Sequence, residues 1–241
     1  MRDYSSPLSV DYRLKYDDTP RMDLAAFITE PPGAVLELGC GSGATGALIR
    51  QRFTDTRYVG IELDPGAAAI ARRRLDRVVV ANIEQIDLGE YGLEMESFDW
   101  IICGDVLEHL YDPWRVLRLL RDYLKPEGRF LASIPNTQNI WVILHLLDGN
   151  WTYMERGLLD ATHIRFFTLR EIYKLFSGTG YEIIGTTCVL QRRVEDEEWP
   201  QDLDFGQFVL KDVSMEEAKC LYTFQYLVTA RNKESRKDRS C

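Results

Sequence analysis

The stretch VLELGCGSGA, Val35 to Ala44, decides the fold. Val35 to Leu38 is a short apolar run, which reads as a buried strand. Gly39, Gly41 and Gly43 follow at alternate positions, and a helix pattern then runs from Ala44 to Phe53. Glycine lets the backbone turn sharply and approach a ligand where a Cβ would collide. It also leaves N–H groups directed outward at the start of a helix.

Working outward, strand and helix signals alternate. Arg57 to Ile61 reads as a second strand, and Asp64-Pro65 places an N-cap and a first-turn proline before a helix from Gly66 to Leu75. Arg77 to Ala81 and Phe98 to Cys103 are further strands. Asp112-Pro113 opens a helix to about Leu124, and Arg129 to Ile134 is a fifth strand. Such a rhythm predicts an α/β, doubly wound, mostly parallel sheet with helices on both faces. Beyond it, Thr168 to Glu171 is a capping box opening a helix that ends near Gly178 to Gly180, and Ser214 starts another. Tyr181 to Leu190 and Tyr222 to Ala230 look like two last strands. A single domain over 1–241 is expected, with an N-terminal segment 1–30, an insert at about 138–167 and a frayed tail at about 232–241.

Glu62 ends the second strand, about twenty residues beyond the glycines. In doubly wound sheets an acid there accepts hydrogen bonds from ribose hydroxyls at the crevice where strand order reverses. The pair predicts an adenosine-containing ligand. Gly39-x-Gly41-x-x-Ala44 also satisfies the looser dinucleotide fingerprint, which keeps NAD open. Glu37 favours a cationic ligand, since its carboxylate suits an amino or sulfonium group and would repel a pyrophosphate.

From here the chain resembles class I S-adenosylmethionine-dependent methyltransferases. VLELGCGSG resembles their first motif and YVGIELDP, 58–65, their second. VVVANIEQID, 78–87, resembles the segment after the third strand, FDWIICGDVLEHLYDP, 98–113, the fourth-strand motif, and LKPEGRFLASIPN, 124–136, the fifth. The resemblance implies a seven-stranded Rossmann-like sheet of order 3-2-1-4-5-7-6 with the last strand antiparallel. It implies S-adenosyl-L-methionine as cofactor and S-adenosyl-L-homocysteine as product. The implied cofactor-binding residues are Tyr16, Arg21, Glu37, Gly39, Cys40, Gly41, Gly43, Glu62, Leu63, Asn82, Ile83 and Asp105, with Asn82 and Ile83 flanking the adenine. Residues 16–21 and WTYMERGLLDATHIRFFT, 151–168, resemble a subgroup found beside bacterial glycosyltransferases, which implies a small-molecule or glycan hydroxyl as acceptor.

Methyl transfer to a hydroxyl needs the acceptor aligned, water excluded and a proton removed. His109, after Glu108, and His163 in the insert are the candidate catalytic residues together with Glu108. His145, on an apolar stretch, reads as a core histidine. The set Asp105, Glu108, His109 and His163 also resembles the Mg²⁺ site of small-RNA 3′-end 2′-O-methyltransferases, and a related pattern occurs in ubiquinone-pathway O-methyltransferases. The same string DVLEHL, 105–110, occurs in relatives that need no metal, so a divalent ion is left open. Trp141, Trp151, Tyr153, Phe166 and Phe167 are candidates for a sugar platform or for core.

A net charge of −9 argues against a broad nucleic-acid surface. Arg72 to Arg74 reads as cations closing a helix. Five dispersed cysteines without CxxC spacing suit reduced thiols. With no apolar leader and no stretch long enough to span a bilayer, a soluble cytoplasmic protein is expected. The oligomeric state is left open. The competing readings are a non-catalytic S-adenosylmethionine-binding protein of the same fold and an NAD-linked oxidoreductase.

Overall fold

The computed structural model describes residues 18–233. Its main sheet has seven strands: β1 (Ala34–Leu38), β2 (Arg57–Glu62), β3 (Arg77–Val80), β4 (Phe98–Gly104), β5 (Leu124–Pro135), β6 (Tyr181–Leu190) and β9 (Thr223–Asn232). They lie in the order β3-β2-β1-β4-β5-β9-β6. The first five run parallel, and β9 runs antiparallel to both β5 and β6. Counting along the main sheet alone, this is the expected 3-2-1-4-5-7-6. The strand order reverses between β1 and β4, so their carboxyl ends open a crevice there.

Every residue of β1 is buried, as a parallel strand covered on both faces requires. Leu36 and Leu38 face one core, with α4 (Pro113–Arg121) and α6 (Leu169–Gly178) over it. Val35 faces the other, with α1 (Met22–Ala25), α2 (Ala44–Arg52) and α3 (Pro65–Ala71) above it. The expected caps form. Asp64 accepts from Ala67 N and Ser214 makes a full capping box with Glu217 ahead of α7 (Met215–Tyr222), whereas Thr168 accepts from Glu171 N but forms only that half of the expected box, the Glu171 carboxylate pairing with Lys174 instead.

Several boundaries differ from expectation. α3 ends at Ala71, not Leu75, because Leu75 turns inward beneath Gly43, Gly46 and Gly60. Arg72 to Arg74 therefore lie past the helix, and Arg74 Nη2 pairs with Asp18 Oδ2 at 3.0 Å. α4 stops at Arg121 and β5 starts earlier, at Leu124, with a register irregularity against β4. Asn232 still belongs to β9 and Lys233 N donates to Gly180 O, so these two residues are tied down rather than frayed.

The insert begins with α5 (Ile140–Leu147), capped by Asn139, and closes where Thr137 N donates to Phe167 O. The acidic stretch from Glu195 to Asp204 ends in the first strand of a two-stranded hairpin, β7 (Gln201–Asp204) with β8 (Val209–Val213), which no sequence signal announced. Leu203 and Val213 of this hairpin pack with Ile140 of α5 and with Leu221 and Tyr222 of α7.

Candidate functional site

Parallel register brings the functional residues to one rim. Leu38 of β1 lies beside Ile61 of β2 and Cys103 of β4, and Glu62 lies beside Val80 of β3. The residues just past these positions are Gly39, Glu62 and Leu63, Asn82 and Ile83, and Asp105. Each therefore sits at the carboxyl end of a neighbouring strand.

Gly39, Gly41 and Gly43 all have positive φ, +62°, +52° and +76°. An L side chain in that conformation costs roughly 1–2 kcal/mol. At Gly39 a Cβ would also stand 2.7 Å from Val106 Cγ2, across the mouth of the crevice. Glu62 is buried; its Oε2 accepts from Gly41 N and its Oε1 from Asp64 N, both at 2.8 Å. The loop and the acid are thus locked together before any ligand arrives, and a carboxylate offers about four acceptor positions in all. Leu63, directly after it, is 67% exposed, an apolar side chain left in water at the rim. Asn82 Oδ1 accepts from Glu84 N, while Ile83 is buried against the main core. Cys40 turns its Sγ inward beneath Gly60 and gives its N–H to Ile61 O. Burial pushes its thiol well up.

Glu37 lies beneath this rim, fully buried and accepting a 2.9 Å hydrogen bond from Tyr58 Oη. Burial dominates its titration and pushes its carboxyl to about 8, although the tyrosine bond works the other way. The charge of Glu62 adds to the rise and that of Arg21 opposes it, and the balance favours the protonated form at neutral pH.

On the other side of the crevice, Asp105 has φ +53°, an uncommon conformation outside glycine. Ser133 Oγ donates to its Oδ1 at 2.6 Å and Arg21 Nη1 donates to its Oδ2. Arg21 N also donates to Thr45 Oγ1, and Arg21 pairs with Asp23. Gln225 sits where its amide can bridge Asp105 and Arg21. Asp18 accepts from Ser42 Oγ at 2.7 Å. The segment before α1 is thereby fastened over the glycine loop; Tyr16, expected to join it, lies outside the described residues.

One short turn further along, Leu107–His109 forms a single 3-10 turn. Glu108 is 1% exposed, and neither of its carboxyl oxygens has a hydrogen-bond partner among the described residues. Burial, and next the negative charge of Asp105, hold its carboxyl well above the usual range. His163 comes in from the insert with its Nε2 3.9 Å from Glu108 Oε1 and its ring centroid 4.8 Å from that of His109. Burial, and next the His109 ring, lower the pKa of His163. His109 itself is half-buried. One ligand atom from each of Glu108, His109 and His163 lies within 4.8 Å of the other two. Asp105 stands outside that group.

The rest of the insert divides. His145, expected in the core, is only half-buried, its ring tilted 44° against Trp141 with centroids 4.2 Å apart, because it lies toward the exposed end of α5; Phe167 is core. Trp151 meets Phe166 edge-on, and Phe166 and Tyr153 are partly exposed. Sequence reasoning did not single out Ser133, Gln225, Thr45, Ser42 or Asp18, which hold the charged side chains in place. It also passed over Asp160 and Thr162; the pattern Asp-x-Thr just before His163 was the one available signal.

The chain matches the family described as “Methyltransferase domain” over residues 12–186. It belongs to that family. A trans-aconitate 2-methyltransferase of Deinococcus radiodurans is 35% identical over 150 residues, covering 62% of this chain and 51% of that one. A Mycolicibacterium smegmatis protein named “Probable S-adenosylmethionine-dependent methyltransferase” is 30% identical over 155 residues, 64% and 54% of the two chains. The chain thus spans about half the length of the curated relatives it matches. A solved S-adenosylmethionine-dependent methyltransferase from Archaeoglobus fulgidus superposes with a TM-score of 0.58 at 16% identity, over 95% of each chain, which shows the shared fold.

Membership of this family is what the methyltransferase expectation requires and is not that of an NAD-linked oxidoreductase, and S-adenosylmethionine is the cofactor named for the Mycolicibacterium relative. The rim fits that cofactor: left-handed glycines that leave room for a ligand, an acid for ribose and an exposed apolar Leu63 for a base face. No helix among the described residues is long and apolar enough to cross a membrane.

Proposed function

We propose that this methyltransferase methylates a hydroxyl oxygen of a small molecule or glycan, with His109 as the general base. The observation that carries the reading is the half-buried His109 set beside two buried titratable groups, Glu108 and His163, one turn beyond the cofactor rim. When bound, S-adenosylmethionine supplies a methyl already made electrophilic by the sulfonium and leaves as the neutral thioether. His109 takes the proton that the acceptor oxygen loses as its bond to carbon forms, and returns it to solvent. Glu108 and His163, both favoured neutral, keep the floor of the pocket uncharged and lined with groups that can hydrogen-bond a second acceptor hydroxyl. Arg21 and Asp105 hold the amino-acid end of the cofactor, and Glu62 its ribose. Trp151, Tyr153 and Phe166, on the insert, offer aromatic faces suited to a sugar ring. Free thiols at Cys40, Cys103, Cys188 and Cys220 suit a reducing cytoplasm.

A radiolabelled methyl-transfer screen over sugars, nucleotides, organic acids and quinols tests the reading. Transfer to a hydroxyl that is lost in His109→Ala supports it. Transfer only to carboxylates, nitrogen or carbon overturns the hydroxyl assignment, and silence across all classes favours a role confined to cofactor binding.

The unpartnered Glu108 oxygens favour one second reading, a divalent cation held by Glu108, His109 and His163. Two imidazoles and a carboxylate suit a transition ion. Ligand bonds of about 2.0–2.2 Å put the donors roughly 3.5 Å apart, so the two segments would have to close by about 1 Å. Turnover unchanged in excess chelator removes this reading; loss restored by added divalent ion establishes it.

A further inference from the structure

The segment carrying His163 also controls the other histidine. Glu108 O accepts from Ile164 N at 2.9 Å and from Arg165 N at 3.0 Å, and Arg165 Nε donates to Tyr111 O at 3.1 Å. The end of the insert is thereby stitched along the turn that bears His109. Within this clamp, Asp160 Oδ1 accepts from Thr162 N at 2.8 Å and from Thr162 Oγ1 at 2.6 Å. Thr162 then faces His109 twice: its Oγ1 is 3.1 Å and its carbonyl oxygen 3.2 Å from His109 Nδ1.

The protons can be counted. A hydroxyl carries one proton, and an ionised carboxylate only accepts. The 2.6 Å separation is the length of a charge-assisted O–H···O⁻ bond, so the Thr162 proton is directed to Asp160. The hydroxyl can show only a lone pair to the imidazole, and the carbonyl shows another. A neutral imidazole bears its proton on one nitrogen alone. Facing two acceptors and no donor, that nitrogen must be Nδ1. Nε2 is left with the lone pair, the form a general base needs and, equally, the form a metal ligand needs.

We propose that Asp160 and Thr162 are positioning residues for His109, locking it in the Nδ1–H tautomer. The carboxylate orders the hydroxyl, the hydroxyl and its carbonyl order the ring, and neither residue touches the reacting atoms. The role in turnover rests on the reading of His109 as the base; the tautomer does not.

Nitrogen-15 NMR of His109 in the full chain, with and without S-adenosylhomocysteine, is the test. The wild type should show a protonated-type Nδ1 and an unprotonated-type Nε2. Asp160→Ala frees the Thr162 hydroxyl to donate to Nδ1, so the opposite tautomer should gain population. Its kcat should fall by roughly 10–100-fold, less than the roughly 10²–10⁴-fold that outright loss of a general base costs, while S-adenosylhomocysteine affinity stays within about twofold. Asp160→Asn keeps an acceptor oxygen for Thr162 and should recover most of the tautomer and the rate. A wild-type spectrum with the proton on Nε2, or an even mixture, overturns the proposal. So does an Asp160→Ala protein with the wild-type tautomer, or an Asn variant as impaired as the Ala variant. If the wild-type tautomer is as stated but His109→Ala turns over normally, the base reading fails and the tautomer assignment stands.

Discussion

Replacing Glu108 by Met should make the protein more stable and less active. The carboxyl is 1% exposed, and both oxygens lack a hydrogen-bond partner among the described residues. A buried polar group left unpaired costs roughly 1–3 kcal/mol, and Met fills a similar volume with an adaptable apolar chain. That gain applies where Glu108 is protonated in both folded and unfolded chains. Because burial raises its folded pKa, the sign of the pH effect is fixed. The stability that Glu108 leaves to the wild type is fully present below the ordinary glutamate pKa and is lost as pH rises toward the folded value. The loss runs at up to about 1.4 kcal/mol per pH unit. The advantage of Glu108→Met should therefore be modest at pH 5 and larger at pH 8. For a chain of this size each kcal/mol moves Tm by about 2–4 °C. Thermal unfolding followed by circular dichroism, in chelator at both pH values, measures this directly. A variant that melts lower than wild type at pH 8, or a gap that does not widen, would refute the reasoning and show that Glu108 is paired in solution.

Further outcomes follow from the same geometry. His109→Ala should lower kcat by roughly 10²–10⁴-fold with S-adenosylhomocysteine affinity nearly unchanged, as steady-state kinetics and calorimetry would show; equal losses in both would make His109 structural. Gly41→Val forces a branched side chain into φ +52°, so cofactor binding should be abolished while the fold loses about 1–2 kcal/mol; retained micromolar affinity would place the ligand elsewhere. Glu37 is pushed up to about 8, so if it meets a cationic group of the cofactor, binding must release its proton. Affinity should then rise from pH 6.5 to about 8 and level off, and Glu37→Gln should flatten that rise; a flat wild-type profile would detach Glu37 from the ligand.

Much of the fold was legible because its signals are local. The run from Val35 to Leu38 followed by spaced glycines can hardly be anything but a buried strand and tight turn, and Asp64-Pro65, Thr168 and Ser214 cap their helices as their chemistry dictates. Strand order came from family resemblance, since periodicity alone does not choose among topologies. The β7–β8 hairpin was hidden because its strands are largely exposed and mainly Leu203 and Val213 face inward, so no alternation stands out. The end of α3 was misplaced because Leu75 looks like one more apolar helical position until Gly43, Gly46 and Gly60 give it a pocket. The site was legible in its cofactor half, where each residue follows a strand. The pairing of His109 with His163 joins segments more than fifty residues apart through an irregular insert, and no pattern within either segment specifies that contact. Resemblance suggested it, and tertiary structure supplies Asp160 and Thr162.

The central claim is that one adenosyl group binds against the rim that the glycine loop and Glu62 form together, and calorimetric titration of wild type and Glu62→Ala with S-adenosylhomocysteine tests it most directly. Charged hydrogen bonds of about 1.5–3 kcal/mol predict saturable one-to-one binding to the wild type and a loss of roughly 10–100-fold in the variant. No binding to the wild type, or equal affinity in the two proteins, would contradict it.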